Sequence, residues 1–341
     1  MRRLLIGAGI IPALVVLAAA QGVPQVGRTL SGPPRSEDVE ALQLRPNVHM
    51  IAGAGANVTV QIGDDGVVVV DSGSSGGASS VLAAIKKITD APIRYVINTT
   101  ADADHVGGNE AIAKAGITIL GTRVTGLPNS ASFSGGSGPG PASILAMEQV
   151  LARMSAPTGQ AAPFPVAGWP TETFPTGQKN MYLNGEGIEI VHQPAAHSDG
   201  DAFVFFRRSD VVAVGDVLDT THFPTIIVAQ GGSIQGEIDA LNRLVNLAIA
   251  SVPIITRDEG TLVVPAHGHV CDQFDVVGYR DMVTIIRDRV RELKASGKTL
   301  DQIKAAAPAK GYAARYGSGN GPGSTNGFIE AIYRSLSQVK S

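Results

Sequence analysis

The stretch that most constrains this chain is NTTADADHVGGNE, residues Asn98 to Glu110. A strand-like run, Ile93 to Ile97, precedes it, and a helix-like run, Asn109 to Ala115, follows. Between the two lie Asp102, Asp104 and His105, then Gly107 and Gly108. Two carboxylates and an imidazole on a loop at the C-terminal end of a strand can converge on one point. Left without a cation, those carboxylates repel each other and resist ionisation. An Asp-rich turn that caps the helix beginning near Gly108 accounts for the same residues with no ligand at all. The choice between a metal site and a capped turn therefore rests on the rest of the chain.

At 341 residues the chain can bury a sizeable core in one large domain or two small ones. Charged residues make up 17% and the net charge is −3, with no basic patch of the kind nucleic acid requires and no Lys/Arg cluster for a membrane surface. The first twenty residues read as a signal peptide: Arg2 and Arg3, an apolar run from Leu4 to Leu17, then Ala18-Ala19-Ala20 before a mature start at Gln21. The apolar run is short and broken by Gly7, Gly9 and Pro12, which disfavours an uncleaved anchor. The expectation is an exported protein, periplasmic or secreted, with no stable membrane association after cleavage. Cys271 is the single cysteine, so no intrachain disulfide can form.

Residues 21–41 are rich in Gly, Pro, Ser and Arg and read as a linker. From Leu42 the pattern turns to strands, at Val48–Ile51, Asn57–Ile62 and the all-apolar Val67–Val70 that ends in Asp71. Ala78–Ile88 carries apolar residues at helical spacing. Residues 121–178 are loaded with Gly, Pro, Ser and Thr, hold one helical island at Ala142–Met154 and contain Trp169; they read as an insertion over the site. Strands return at Met181–Leu183, Ile188–Val191, Ala202–Phe206, Val211–Val214 and Thr261–Val264, with a helix at Ser233–Ala250 between the last two. Residues 276–341 read as a helical C-terminal extension on the same domain as residues 42–275. Two successive halves, each strands then helices, predict an α/β fold: an αββα four-layer sandwich whose strand-end loops meet at one edge.

Three further strand-end loops present a metal-competent side chain: His197 before the Ala202 strand, Asp216 after Val211–Val214, and His267 after Thr261–Val264. His222 follows the Asp216 loop and is read as lining the pocket, His192 and His269 are read as solvated, and His49 is assigned no role.

These stretches resemble the signature of the metallo-β-lactamase-fold hydrolases, N-T-H-x-H-x-D-H-x-x-G-N. Asn98, Thr99, Asp104, His105, Gly108 and Asn109 match it, whereas Thr100 and Asp102 stand where the family has its first two histidines. Asp71-Ser72-Gly73, His197 to Asp201, Gly215-Asp216 and Pro265 to Gly268 match its other segments, in the family's order. The resemblance implies a complete second metal site of Asp104, His105 and His267, with Asp216 in the bridging slot. It implies a damaged first site, whose slots hold Thr100, Asp102 and His197.

Thr100 offers a neutral hydroxyl that resists deprotonation. Asp102 is a competent oxygen ligand on a side chain shorter than histidine. Exchanging imidazole for carboxylate moves metal preference from Zn²⁺ toward Mn²⁺, Fe²⁺ or Mg²⁺. The expected cofactor is one Zn²⁺ at the second site, with Mn²⁺ or Fe²⁺ as alternatives and water in the open position. Asp102 or Asp104 would then orient that water or shuttle protons, and Asp71 would orient the motif loop by accepting hydrogen bonds. The expected activity is metal-dependent hydrolysis of an acyl bond, as in a lactam, lactone, thioester or ester, on a small-molecule substrate. The competing expectation is a non-catalytic relative that keeps the pocket as a binding module.

Overall fold

Apolar alternation along the strands decides which layer each side chain joins. In β4 (Gly66–Val70), Val68 and Val70 face one core while Val67 and Val69 face another. Burial on both faces requires a strand covered on both sides, and the computed structural model, which describes residues 39–119, 140–155, 160–251 and 260–338, supplies both covers.

The first sheet begins as an antiparallel meander of β1 (Glu40–Arg45), β2 (Val48–Ala52), β3 (Val58–Gly63) and β4. Helix α1 (Ala78–Ile88) then crosses to β5 (Ile93–Ile97), which pairs parallel with β4. The short α2 (Ala103–Val106) and α3 (Asn109–Ala115) follow, then β6 (Ser143–Met147), α4 (Glu148–Met154) and β7 (Glu172–Phe174). The seven strands lie in sequence order, β1 to β7, with the last three added in parallel.

The second sheet has the order β12-β11-β10-β9-β8. It contains β8 (Gln178–Leu183), β9 (Glu186–Gln193), β10 (Asp201–Phe206), β11 (Val211–Ala213) and, after α5 (Ile234–Leu247), β12 (Leu262–Val264). Its pairings are antiparallel except β11 with β12. The chain ends in α6 (Gln273–Ala295), α7 (Leu300–Ala305), α8 (Ala313–Tyr316) and α9 (Thr325–Gln338). Capping boxes start α6 at Asp272 and α7 at Thr299.

Three apolar clusters record the layers. Val68, Val70, Leu145 and Met147 of the first sheet meet Ile188, Ile190, Val204 and Phe206 of the second. Val67, Val69 and Ile144 pack outward on Val81, Ile85 and Ile112 of α1 and α3. Phe203 and Val212 pack outward on α5, α6 and α9, through Leu241, Val283 and Phe328 among others. The arrangement is the expected αββα sandwich, and the C-terminal helices share the core of the second sheet. Among the described residues no helix is long and apolar enough to cross a membrane.

Two expectations need correction. The helical island at Ala142–Met154 is half strand: Ser143–Met147 is buried throughout and lies between β5 and β7, and only Glu148–Met154 is helical. A five-residue apolar run does not separate strand from helix by periodicity. The 121–178 segment accordingly contributes two strands to the sheet, and Trp169 packs against the inter-sheet core while its indole N–H donates to Phe164 O at 2.9 Å. Second, β1 begins inside the expected linker; it is an exposed edge strand, so no buried alternation marks it. The signal-peptide reading over residues 1–20 falls outside the described residues, as do residues 21–38 of the expected linker and residues 121–139 and 156–159 of the expected insertion.

Candidate metal centre

The loops at the C-terminal ends of β4, β5, β11 and β12, with the loop between β9 and β10, meet at one edge of the sandwich. Asp71, ending β4, has a left-handed backbone (φ 60) that Asp tolerates better than most residues. Its carboxylate accepts from Thr99 N–H at 2.8 Å and from Thr99 Oγ1 at 2.7 Å, and its Oδ2 lies 2.8 Å from His105 Nδ1. This triple contact sets the imidazole so that Nε2 points away from Asp71. That Nε2 is buried and makes no hydrogen bond, although Asp216 Oδ2 lies 3.3 Å from it.

Backbone contacts hold the motif in place. Asn98 and Asn109 exchange two side-chain hydrogen bonds, at 3.0 and 2.8 Å, and tie the start of α3 to the end of β5. At Gly108 any Cβ would lie 2.3 Å from Ser72 O, so the turn before α3 admits only glycine there. Asp104 and His105 lie on the single turn of α2 rather than on an open loop.

Asp104, His105 and His267 bring one ligand atom each to within 4.8 Å of one another. His267 Nε2 lies 3.2 Å from Asp104 Oδ2 and 3.8 Å from Asp216 Oδ1. A second group, Asp102, His197 and Asp216, converges in the same way. His197 Nε2 lies 2.9 Å from Asp102 Oδ2 and 3.6 Å from Asp216 Oδ2. The shorter Asp102 side chain thus reaches its neighbour, and Asp216 stands between the two groups.

Thr100 is buried, and its neutral hydroxyl adds no charged donor to either group. Other expected residues stay outside both groups. His222 turns to Asp219 and Thr221, its Nδ1 lying 3.3 and 2.8 Å from their oxygens. His192 is buried, with Nε2 2.9 Å from Asp199 O, so it is not the solvated residue the sequence predicts.

Several positioning groups carry no motif of their own. Thr225 O lies 2.6 Å from His197 Nδ1, which leaves Nε2 for Asp102. The adjoining Phe223 N–H donates to Tyr316 O and Gly323 O, and its ring stacks on Phe328 at 5.2 Å. The C-terminal extension therefore buttresses the loop that orients His197. Asn57 works on the opposite side: its backbone N–H donates to Ala266 O, and its amide to Pro265 O and Gly268 O. The neighbouring Ala56 N–H donates to Asp104 O. A carbonyl partner leaves no trace in a sequence, and Asn57 opens an otherwise ordinary strand.

The electrostatics describe a site that demands positive charge. Burial alone would lower the His105 and His197 pKa values. The charges of Asp216 and Asp71 outweigh it at His105, and those of Asp216, Asp102 and Asp201 push His197 up to about 10. His267 is raised first by its hydrogen bond to Asp104, and Asp104 is lowered by the same bond. Burial raises Asp216, but the His105 and His197 charges more than reverse that and hold it low. A divalent cation satisfies the same carboxylates while the imidazoles become neutral ligands. The orphaned Nε2 of His105 and the mixed N/O donor set fit a Zn²⁺-type cation.

The sequence model of the metallo-beta-lactamase superfamily matches residues 52–267. The chain belongs to that superfamily. The match runs from the end of β2 to His267 and so takes in every loop of the centre. Comparison with curated proteins finds no match. Among solved structures, a metallo-beta-lactamase from Pontibacter korlensis is 16% identical, with a TM-score of 0.52, covering 72% of this chain and 99% of that one. The sec-alkylsulfatase Pisa1 from Pseudomonas sp. is 15% identical with a TM-score of 0.58; the match covers 87% of this chain but only half of the sulfatase. At these identities the likeness shows the fold alone.

Proposed function

We propose that this superfamily member is a hydrolase of acyl bonds, working on a small molecule with one Zn²⁺-class cation held by Asp104, His105 and His267, with Asp216 alongside. The observation that carries the reading is the convergence of those donor atoms around the unbonded Nε2 of His105. When bound, such a cation polarises a carbonyl and makes water acidic enough to attack at neutral pH. The chain's own residues do the rest. Asp71 and Thr99 fix the His105 ring, and Asn57 fixes the His267 loop. The Asp102–His197 pair, at 2.9 Å, is placed to hold or return a proton beside the reacting centre.

Metal analysis of purified, reconstituted protein tests the cation, with Asp104→Ala and His267→Ala as controls. A parent that holds about one equivalent more than either variant supports the reading; metal content unchanged in both variants, or below about a tenth of an equivalent in the parent, overturns it. A panel of lactam, lactone, thioester, ester and alkyl sulfate substrates tests the bond class. Turnover confined to sulfate esters, the class named for the Pseudomonas neighbour, would replace the acyl assignment.

Thr100 and Asp102, in slots where the family carries histidine, favour a second reading: a non-catalytic member that keeps the pocket for binding. The double variant Thr100→His, Asp102→His separates the two. Activity that appears only in that variant marks the parent as degenerate; activity already present in the parent excludes this reading. We also read the protein as exported, with cleavage after Ala20. N-terminal sequencing of the protein from its native host tests this, and an intact Met1 start would overturn it.

A further inference from the structure

His269, Cys271 and Asp275 stand outside the centre described above, yet their imidazole, thiol and carboxylate each bring one donor atom to within 4.8 Å of the others. The chain builds this cluster from local geometry. Gly268, at φ 98, turns the backbone after His267, so that His269 no longer follows it into the first centre. Cys271 exchanges two backbone hydrogen bonds with Val263 of β12, at 2.9 and 2.8 Å, which makes this segment locally extended. Residues two apart on extended backbone share a face, and this aligns His269 with Cys271. Asp275 lies in the first turn of α6, four residues beyond Cys271, where its Oδ2 accepts from Asp272 N–H and its other oxygen is left for a ligand.

We propose that His269, Cys271 and Asp275 form a second, separate site for a single borderline-soft divalent cation of the Zn²⁺ type. Nitrogen, sulfur and oxygen donors together match that class, and three protein ligands leave a fourth position for water. His269 and Asp275 are exposed and give the cation a path from solvent, while the Cys271 sulfur forms the buried floor. Cys271 gives up its proton to solvent as the cation arrives. Burial, with the charges of Asp275 and Asp272, pushes the thiol up to about 12, and nearby Arg315 pulls the other way. The two carboxylates that oppose a bare thiolate are the ones that favour a cation. The thiol presently donates to His269 O at 3.4 Å, a weak contact that ligation would replace. An ion there would tie α6 to the segment that carries His267, two residues from His269.

The test is titration of the metal-stripped full chain with Co²⁺, read as thiolate-to-cobalt absorption. Absorption is expected in the native protein, and equally in an Asp104→Ala, His267→Ala double variant, so the outcome is independent of the first centre. Added Zn²⁺ should displace it. Cys271→Ser should abolish it, and His269→Ala and Asp275→Asn should each weaken Co²⁺ binding by at least about tenfold. His269 is exposed, so that variant carries the test if the Cys271 variant fails to fold. No absorption in the native protein, or affinity unchanged in both His269→Ala and Asp275→Asn, overturns the proposal.

Discussion

Asp71 Oδ2 lies 2.8 Å from His105 Nδ1, and this one contact decides which nitrogen of the imidazole faces the metal centre. The contact joins the end of β4 to α2 across a buried gap, with Thr99 bonded to the same carboxylate. A ligand ring held this way keeps its tautomer and direction before any ion arrives.

Asp71→Asn follows as the first test. Asparagine tolerates the left-handed backbone at this position, so the fold should survive. Its amide cannot accept from Nδ1–H and from both Thr99 donors at once. Metal affinity should fall by about 10- to 100-fold. Unchanged affinity by competition with a chelating dye would remove Asp71 from the site.

Asn57→Ala should act through the His267 loop. The substitution leaves the Pro265 and Gly268 carbonyls without this partner, a stability cost of about 1–3 kcal/mol. If Asn57 positions the loop, metal affinity falls as well, by about tenfold. A lower unfolding midpoint with unaltered affinity would confine Asn57 to a structural role.

Metal loading should release protons. His105 and His267 are both raised in the metal-free protein and must both become neutral to ligate. Loading in weak buffer should release protons, and affinity should weaken as pH falls. The metal-free protein carries a linked stability change. A histidine with a raised folded pKa contributes stability that is complete below its unfolded value of 6.5 and is lost as pH rises through about 10, the His197 value. The metal-free unfolding midpoint should therefore decline over that range, and His197→Gln should flatten the decline. An unflattened decline would assign it to other groups.

Glu237 on α5 is buried, and neither carboxyl oxygen has a hydrogen-bond partner among the described residues. Burial first, then the Asp201 charge, raises its pKa well above the usual carboxylate value, with His197 opposing. A carboxyl raised in the folded state is destabilising above its unfolded pKa of 4.5, increasingly so as pH rises toward the folded value. Glu237→Gln, neutral and of similar shape, should stabilise the protein at pH 7 by about 1 kcal/mol or more. Denaturant unfolding at pH 5 and pH 8 would reveal it; a loss of stability at pH 8 would mean the acid has a partner.

Much of this was legible without coordinates. The Val67–Val70 run, buried on both faces, announces a covered strand, and the metal-competent residues fall directly after such runs. Strand ends and turn residues are local features, written in neighbouring side chains. The Ser143–Met147 strand was not legible, because an apolar run of that length suits either element until its neighbours in the sheet are known. Nor was the β1 edge strand, which buries too little to show a pattern.

The sequence alone determined the αββα layering, the elements apart from β1 and the β6–β7 stretch, and the set of side chains able to meet at one edge. Only the tertiary structure decided which of them do. It brought Asp102 to His197 and turned His222 to Asp219. The reason is one of scale: whether a carboxylate reaches an imidazole depends on ångström-sized offsets between loops that lie 95 residues apart in the case of Asp102 and His197. Those offsets are set by packing and by carbonyl contacts such as Thr225 O, which no residue type encodes.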